Sequence, residues 1–140
     1  MNFLRLFEIS SSGLYAQRKR LDVIASNLAN LETTRTENGG PYRRKMVVMS
    51  TKAVEGFDQV LSSKLQGVEI DDIVEDDAPF MKVYDPGHPD ADERGYVLMP
   101  NVDLIVEITN MLMAKRNFEA NVTAVRSTKQ MALKALEIGR

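Results

Sequence analysis

The only histidine, His88, sits among Asp85, Asp90, Asp92 and Glu93 in the run "DPGHPDADERG" (85–95). An imidazole beside carboxylates is the material of a metal site or of proton transfer. Counted from Asp90, the calcium-loop pattern finds Asp90, Asp92 and Gly95. It then fails, because Arg94 fills a ligand position and Asn101 stands where a bidentate glutamate is required. A solvated acidic turn shaped by Pro86 and Pro89 accounts for the same residues. No Walker A loop, GxGxxG, GxSxG or HExxH motif is present. A Ser–His–Asp triad would have to use His88 in a proline-flanked loop with no nucleophile elbow. The absence of cysteine removes disulfides, thiolate metal sites and a thiol nucleophile. The residues point to no catalytic, cofactor-binding or metal-ligating set, and the chain is expected not to be an enzyme.

Two basic clusters, Arg18-Lys19-Arg20 and Arg43-Arg44-Lys45, have the charge to meet nucleic acid. No aromatic ladder accompanies them, and an acidic middle would repel phosphate. A solvated helix face and a strand-edge cluster explain them more simply. Asn121-Val122-Thr123 matches a glycosylation sequon but falls inside a predicted helix with Val122 inward.

The elements that carry these residues fall into three parts. Residues 1–45 hold eight Lys/Arg against four Asp/Glu, residues 46–99 four against twelve, and residues 100–140 six against four. Mildly basic ends thus flank an acidic middle, within a net charge of −2. All five prolines and six of eight glycines lie within residues 35–100, leaving the segments on either side free to be long helices. The expected division is 1–34 for an N-terminal helix, 35–100 for a small β-rich middle domain with loops, and 101–140 for a C-terminal helix.

In the first helix Phe7, Leu14, Leu21 and Leu28 repeat at seven, with Phe3, Ile24 and Leu31 between them, interrupted by Ser10 and Gln17. The last shows a stripe of Leu104, Ile108, Met111, Phe118, Val122, Val125, Ala132 and Leu136, broken by Lys115 and Lys129. Asn101 is a candidate N-cap, Asp103 suits the helix dipole and Gly139 is the expected stop. Strands are predicted at 42–50, 65–76, 80–85 and 95–100, while the order of 51–64 stays open. The fold class is therefore α+β, with the two terminal helices paired as a coiled coil around one seam. That seam is expected to use Leu14, Leu21, Ile24 and Leu28 against Phe118, Val122, Val125 and Leu136.

Each helix carries a second stripe of small, amide and methionine residues. It runs Leu6, Ile9, Gly13, Ala16, Val23, Asn27 and Asn30 on the first, and includes Met113, Asn117, Ala120, Ala124, Thr128, Met131, Ala135 and Ile138 on the last. Such surfaces suit close helix approach and register-setting contacts with neighbouring subunits. They equally suit the weakly amphipathic flanks of a helical core. Asn27, Asn30, Asn117 and Asn121 are the subunit-contact candidates. Asn27 and Asn30 have a second option, capping the helix end.

Three stretches together resemble one known family. "SSGLYAQRKRLDVIASNLANLETT" (11–34) is similar to the N-terminal signature of bacterial flagellar axial proteins of the rod and hook, including Ala29, Asn30 and Thr33 of its Ala-Asn-x-x-Thr ending. "NFEANVTAVRSTKQMALKALEIGR" (117–140) resembles the matching C-terminal helix. "DPGHPDADERGYVLMPNVD" (85–103) and the short middle domain look like the proximal-rod member rather than hook or distal-rod proteins.

The resemblance implies a structural subunit without enzymatic activity or cofactor, polymerising helically into the torque-transmitting rod of the basal body. It implies a location in the periplasm-spanning rod, and partners that are further copies, other rod proteins and the flagellar type III export apparatus. Neither nucleic-acid binding nor membrane insertion is implied. Two features of the sequence agree. No run approaches 18 apolar residues, so no membrane span is expected. The start also lacks a basic region followed by an apolar run, so export without a cleaved signal peptide is expected. The rival reading is a cytoplasmic coiled-coil adaptor or nucleic-acid-binding module using the basic clusters.

Overall fold

The computed structural model describes residues 3–53 and 66–138. Residues 54–65, the Phe3 side chain and Gly139, each the subject of an expectation above, lie outside the described residues. The elements run α1 (Phe3–Ala29), β1 (Lys45–Ala53), β2 (Gln66–Glu75), β3 (Met81–Tyr84), β4 (Tyr96–Met99) and α2 (Leu104–Ile138). The fold is α+β, with a long helix at each end and a small β-rich region between them.

The strands form two antiparallel ribbons, β1–β2 and β3–β4. The first changes register between Val48 and Met49, where Val48 faces Asp72 and Met49 faces Ile70. The displaced Asp71 accepts a 2.7 Å hydrogen bond from Ser50 Oγ. A two-stranded ribbon is marginal alone, and this one leans on α1. Ser12 Oγ donates to Ile9 O at 2.7 Å and accepts the Val68 N–H at 3.0 Å, so a helix serine holds a strand backbone. In the second ribbon the 85–95 segment is a closed turn. Asp92 Oδ1 accepts the N–H groups of Arg94 and Tyr96, and His88 Nδ1 accepts the N–H of Asp90. Tyr84 and Tyr96 meet edge to face at 5.3 Å across the strand ends.

The two helices pack against each other antiparallel. Asn27 meets Glu107, and Gly13 meets Asn121, the two numbers summing to 134 in each case. At about 1.5 Å per residue, α1 is roughly 40 Å long and α2 roughly 52 Å. The register therefore carries α2 past the start of α1 after about residue 131. α2 opens on Asp103, whose Oδ1 accepts the N–H groups of Ile105 and Val106 at 2.8 and 3.0 Å. Asp103 is thus the N-cap in place of Asn101, which is engaged elsewhere.

Gly13 lets the helices approach. A β-carbon there would lie 2.9 Å from Asn121 Nδ2. Glycine inside a helix costs roughly 1 kcal/mol relative to alanine, and close approach offsets it. We expect Gly13→Leu to lower stability by about 1–3 kcal/mol through overpacking, read as a reduced urea midpoint. An unchanged midpoint would show that the helices do not touch here.

Candidate assembly interface

The line of closest approach between α1 and α2 differs from the leucine seam. In α2 the buried positions Glu107, Ala114 and Thr128 fall on a seven-residue repeat that also includes Asn121. In α1 the buried positions are Gly13, Ala16, Ile24 and Asn27. Leu14, Leu21 and Leu28 are only half-buried and flank this line, as do Phe118, Val122 and Val125. Leu104 and Ile108 are exposed. One helical residue is a turn of about 100°, so the contact is rotated by one position from the most apolar stripe. Leu136 falls outside the seam altogether. It is 71% exposed, because the antiparallel register leaves no α1 residue opposite it.

A polar cluster sits at the closed end of the helix pair. Glu107 is fully buried at 0% exposure. Its Oε1 accepts Arg44 Nε at 2.8 Å and also lies 2.8 Å from Arg44 Nη2, so a single oxygen meets both nitrogens of that edge, while Oε2 accepts Asn27 Nδ2 at 3.1 Å. Arg44 reaches Asp76 Oδ2 with its remaining nitrogen at 3.1 Å. Asn27 uses its whole side-chain capacity. It donates to Glu107 and to Lys45 O, and it accepts from Tyr42 OH and Lys45 N. An asparagine amide has two donors and two lone pairs, so none is left over. Asn101 completes the frame, accepting the Arg44 N–H at 2.8 Å and donating to Asp76 O and Ala78 O.

The charges are set by this geometry. Burial works against the Arg44 cation, but its hydrogen bonds to Glu107 and Asp76 outweigh that, so its pKa is raised. The Asp76 carboxyl is lowered, first by the Ala78 N–H and then by Arg44. Glu107 itself lies in the first turn of α2.

The four asparagines have different fates. Asn27, expected at a subunit contact, is 1% exposed, with all of its side-chain hydrogen bonds made inside the chain. Asn30 closes the end of α1, donating to Ser26 O at 2.9 Å and accepting from Thr33 Oγ1 at 3.1 Å. Asn121 is half-buried against Gly13. Asn117 alone is exposed. The small-residue face of α1 through Gly13, Ala16 and Asn27 meets the chain's own second helix. The second basic cluster is also engaged within the chain, since Arg43 stacks 4.4 Å over Phe80 and donates to Asp76 O.

Sequence reasoning missed Glu107, Arg44, Asp76 and Tyr42. The usable signal was the spacing of Glu107, Ala114, Asn121 and Thr128 by sevens, matched by Gly13, Arg20 and Asn27.

Apolar surface remains at both ends of α2. Leu104, Ile105, Val106, Ile108, Leu112 and Met113 are exposed near its start, and Met131, Leu133, Leu136 and Ile138 near its end. Among the described residues no helix is long and apolar enough to cross a membrane. A contiguous exposed apolar patch on a chain of this size marks a contact surface.

Two outcomes are expected of the cluster. Arg44→Leu should cost about 3–5 kcal/mol by stranding a buried carboxylate, and adding Glu107→Leu should recover part of it. Urea unfolding of both variants checks this, and a double variant less stable than the single would contradict it. Because the folded-state pKa of Asp76 lies below its unfolded value, its contribution is fully present above the unfolded pKa and lost as pH falls through the folded one. Stability should therefore decline below about pH 4, with a shallower decline in Asp76→Asn.

Comparison with known sequences agrees at both ends and along the whole length. Residues 7–35 match the family model described as flagella basal body rod protein, and residues 93–138 match that of the flagellar basal body rod FlgEFG protein C-terminal region. The chain is 46% identical to the flagellar basal-body rod protein FlgC of Bacillus subtilis over 151 aligned positions, covering all of both chains. It is 43% identical to FlgC of Escherichia coli O6:H1 and 42% identical to FlgC of Salmonella typhimurium, again over the full length of each. With the paired terminal helices and their matched signatures, this full-length identity shows that the chain belongs to the FlgC family of flagellar basal-body rod proteins.

Proposed function

We propose that the protein is a structural subunit of the proximal rod of the bacterial flagellum, without catalytic activity. The observation that carries this reading is full-length identity to rod proteins, 46% with no part of either chain left over. Physically, a shaft subunit needs stiff elements, a fixed angle between them and surfaces for neighbours. The helix pair supplies the first, the Asn27–Glu107–Arg44 cluster the second and the exposed apolar ends of α2 the third.

On this reading copies and other rod proteins stack helically, with the terminal helices as the tube wall. The parts 1–34 and 101–140 then act as one helical unit, and 35–100 as a buttress that also faces outward. Torque passes along paired helices, whose backbone hydrogen bonds run parallel to the axis. Export without a cleaved signal peptide by the flagellar type III apparatus, and a final place in the periplasm-spanning rod, belong to the same proposal. Leu14, Leu21, Ile24 and Leu28 with Phe118, Val122 and Val125 serve as the apolar sides of the helix pair, and Asn117 is the remaining amide candidate for a neighbour.

Deleting the gene in its host and viewing the envelope by electron microscopy tests the reading. Loss of hooks and filaments, restored by the intact gene, is expected. Normal flagella in a host with no second copy would overturn it.

A further inference from the structure

Of the eight asparagines in the chain, only Asn38 is followed by glycine. It is exposed, in a tight turn over 36–40 between α1 and β1. Gly39 and Gly40 have φ of 78° and 82°, and a β-carbon built on either would meet nothing within 4 Å. Asparagine is a chemically labile residue, because its side-chain amide can be attacked by the backbone nitrogen of the residue after it. A side chain on that next residue crowds the attack, and glycine has none. Gly39 N gives up its proton and bonds to Asn38 Cγ, the amide C–N bond breaks, and ammonia leaves a five-membered succinimide. Water then opens the ring. Opening at Cγ leaves an aspartate, and opening at the backbone carbonyl leaves an isoaspartate, with the chain rerouted through the side chain. Either route consumes one water and releases one ammonia.

The fold decides whether the native chain can react. Gly39 N–H donates to Thr36 O at 3.0 Å and Thr36 N–H donates to Gly40 O at 2.9 Å, so the attacking nitrogen must first leave a hydrogen bond. Exposed turn bonds of this kind open locally at little cost. The turn is also closed off from the interior, since Tyr42 N–H donates to Thr33 O at 2.9 Å across its neck. Beyond that link Tyr42 OH donates to Asn27 Oδ1. The turn can therefore open while the Asn27–Glu107–Arg44 cluster stays shut. Asn27 is the opposite case, buried within a helix and followed by Leu28.

We propose that Asn38 is a site of spontaneous deamidation in the folded protein, its amide converted by water to a carboxylate through a succinimide with Gly39. The new charge arises in a pocket that Arg43 and Lys45 also line. The inference needs only the folded chain and water, and it stands apart from the rod-subunit reading.

The test ages the full chain in warm, mildly alkaline buffer, beside a sample unfolded in guanidinium chloride, and follows the tryptic peptide 36–43 by mass spectrometry. In the folded sample this peptide should show the mass gain of an amide-to-acid exchange and split into aspartate and isoaspartate forms. It should change at least about tenfold faster than any other asparagine-containing peptide, because no other asparagine precedes a residue without a side chain. Asn38→Gln, which cannot close the five-membered ring, should hold its mass. The aged chain should keep its urea midpoint. The proposal is overturned if the peptide reacts only when unfolded, if the acid appears without isoaspartate, or if Asn38→Gln gains mass at the same rate. A midpoint that falls with conversion would overturn the insulated turn on which the proposal rests.

Discussion

A carboxylate taken wholly out of water has to be met by partners in fixed positions, and Glu107 is such a group. Its partners come from two separate places in the chain, both distant from it in sequence. Asn27 belongs to the end of α1, Arg44 to the segment entering β1, and the N-terminus of α2 carries the glutamate itself. Satisfying Glu107 therefore fixes the helix register, the entry of the first ribbon and, through Asp76 and Asn101, the exit of that ribbon toward the second. Moving α1 by one heptad would strand both the glutamate and an asparagine whose four bonds are all used. The apolar contacts hold the helices together, but they are nearly repetitive along the pair and discriminate poorly between registers. The polar cluster breaks that degeneracy.

The same geometry explains the small residues near the cluster. A short side chain such as Asn27 bridges to Glu107 only where the helices run close, and Gly13, Ala16 and Ala114 permit that approach. Larger residues then pack at the sides of the line of contact, which is why Leu14, Leu21 and Phe118 are half-buried and not central. Of the large apolar side chains left exposed among the described residues, half lie along the start and end of α2 and most of the others on the two ribbons.

Much of the fold was legible in the sequence. Proline and glycine confined to the middle marked both helices, and alternating Val, Ile and Tyr between turn residues marked all four strands to within a few residues. The helix seam was legible only in its period. Hydrophobicity favoured Leu14, Leu21 and Leu28, while the structure centres on Gly13, Ala16 and Asn27, because closeness of approach and not oiliness decides what lies innermost. Leu136 was misplaced for a different reason: a stripe does not reveal where its partner helix ends. Arg44 was hidden because its partners lie 63 and 32 residues away in sequence, beyond any local pattern. The family signature was the strongest signal, and full-length identity to FlgC proteins supports it.

The central claim is that the polar cluster sets the register of the helix pair. With no native cysteine, nitroxide labels can be placed at exposed Ala25 and Thr109, and the distance between them measured by pulsed electron spin resonance. The account predicts one narrow distance distribution in the otherwise unaltered chain. In the triple variant Asn27→Leu, Arg44→Leu, Glu107→Leu it predicts a broadened distribution, including a population displaced by about 10 Å, the rise of one heptad. The same narrow peak in both would contradict it, and would return the choice of register to the apolar packing alone.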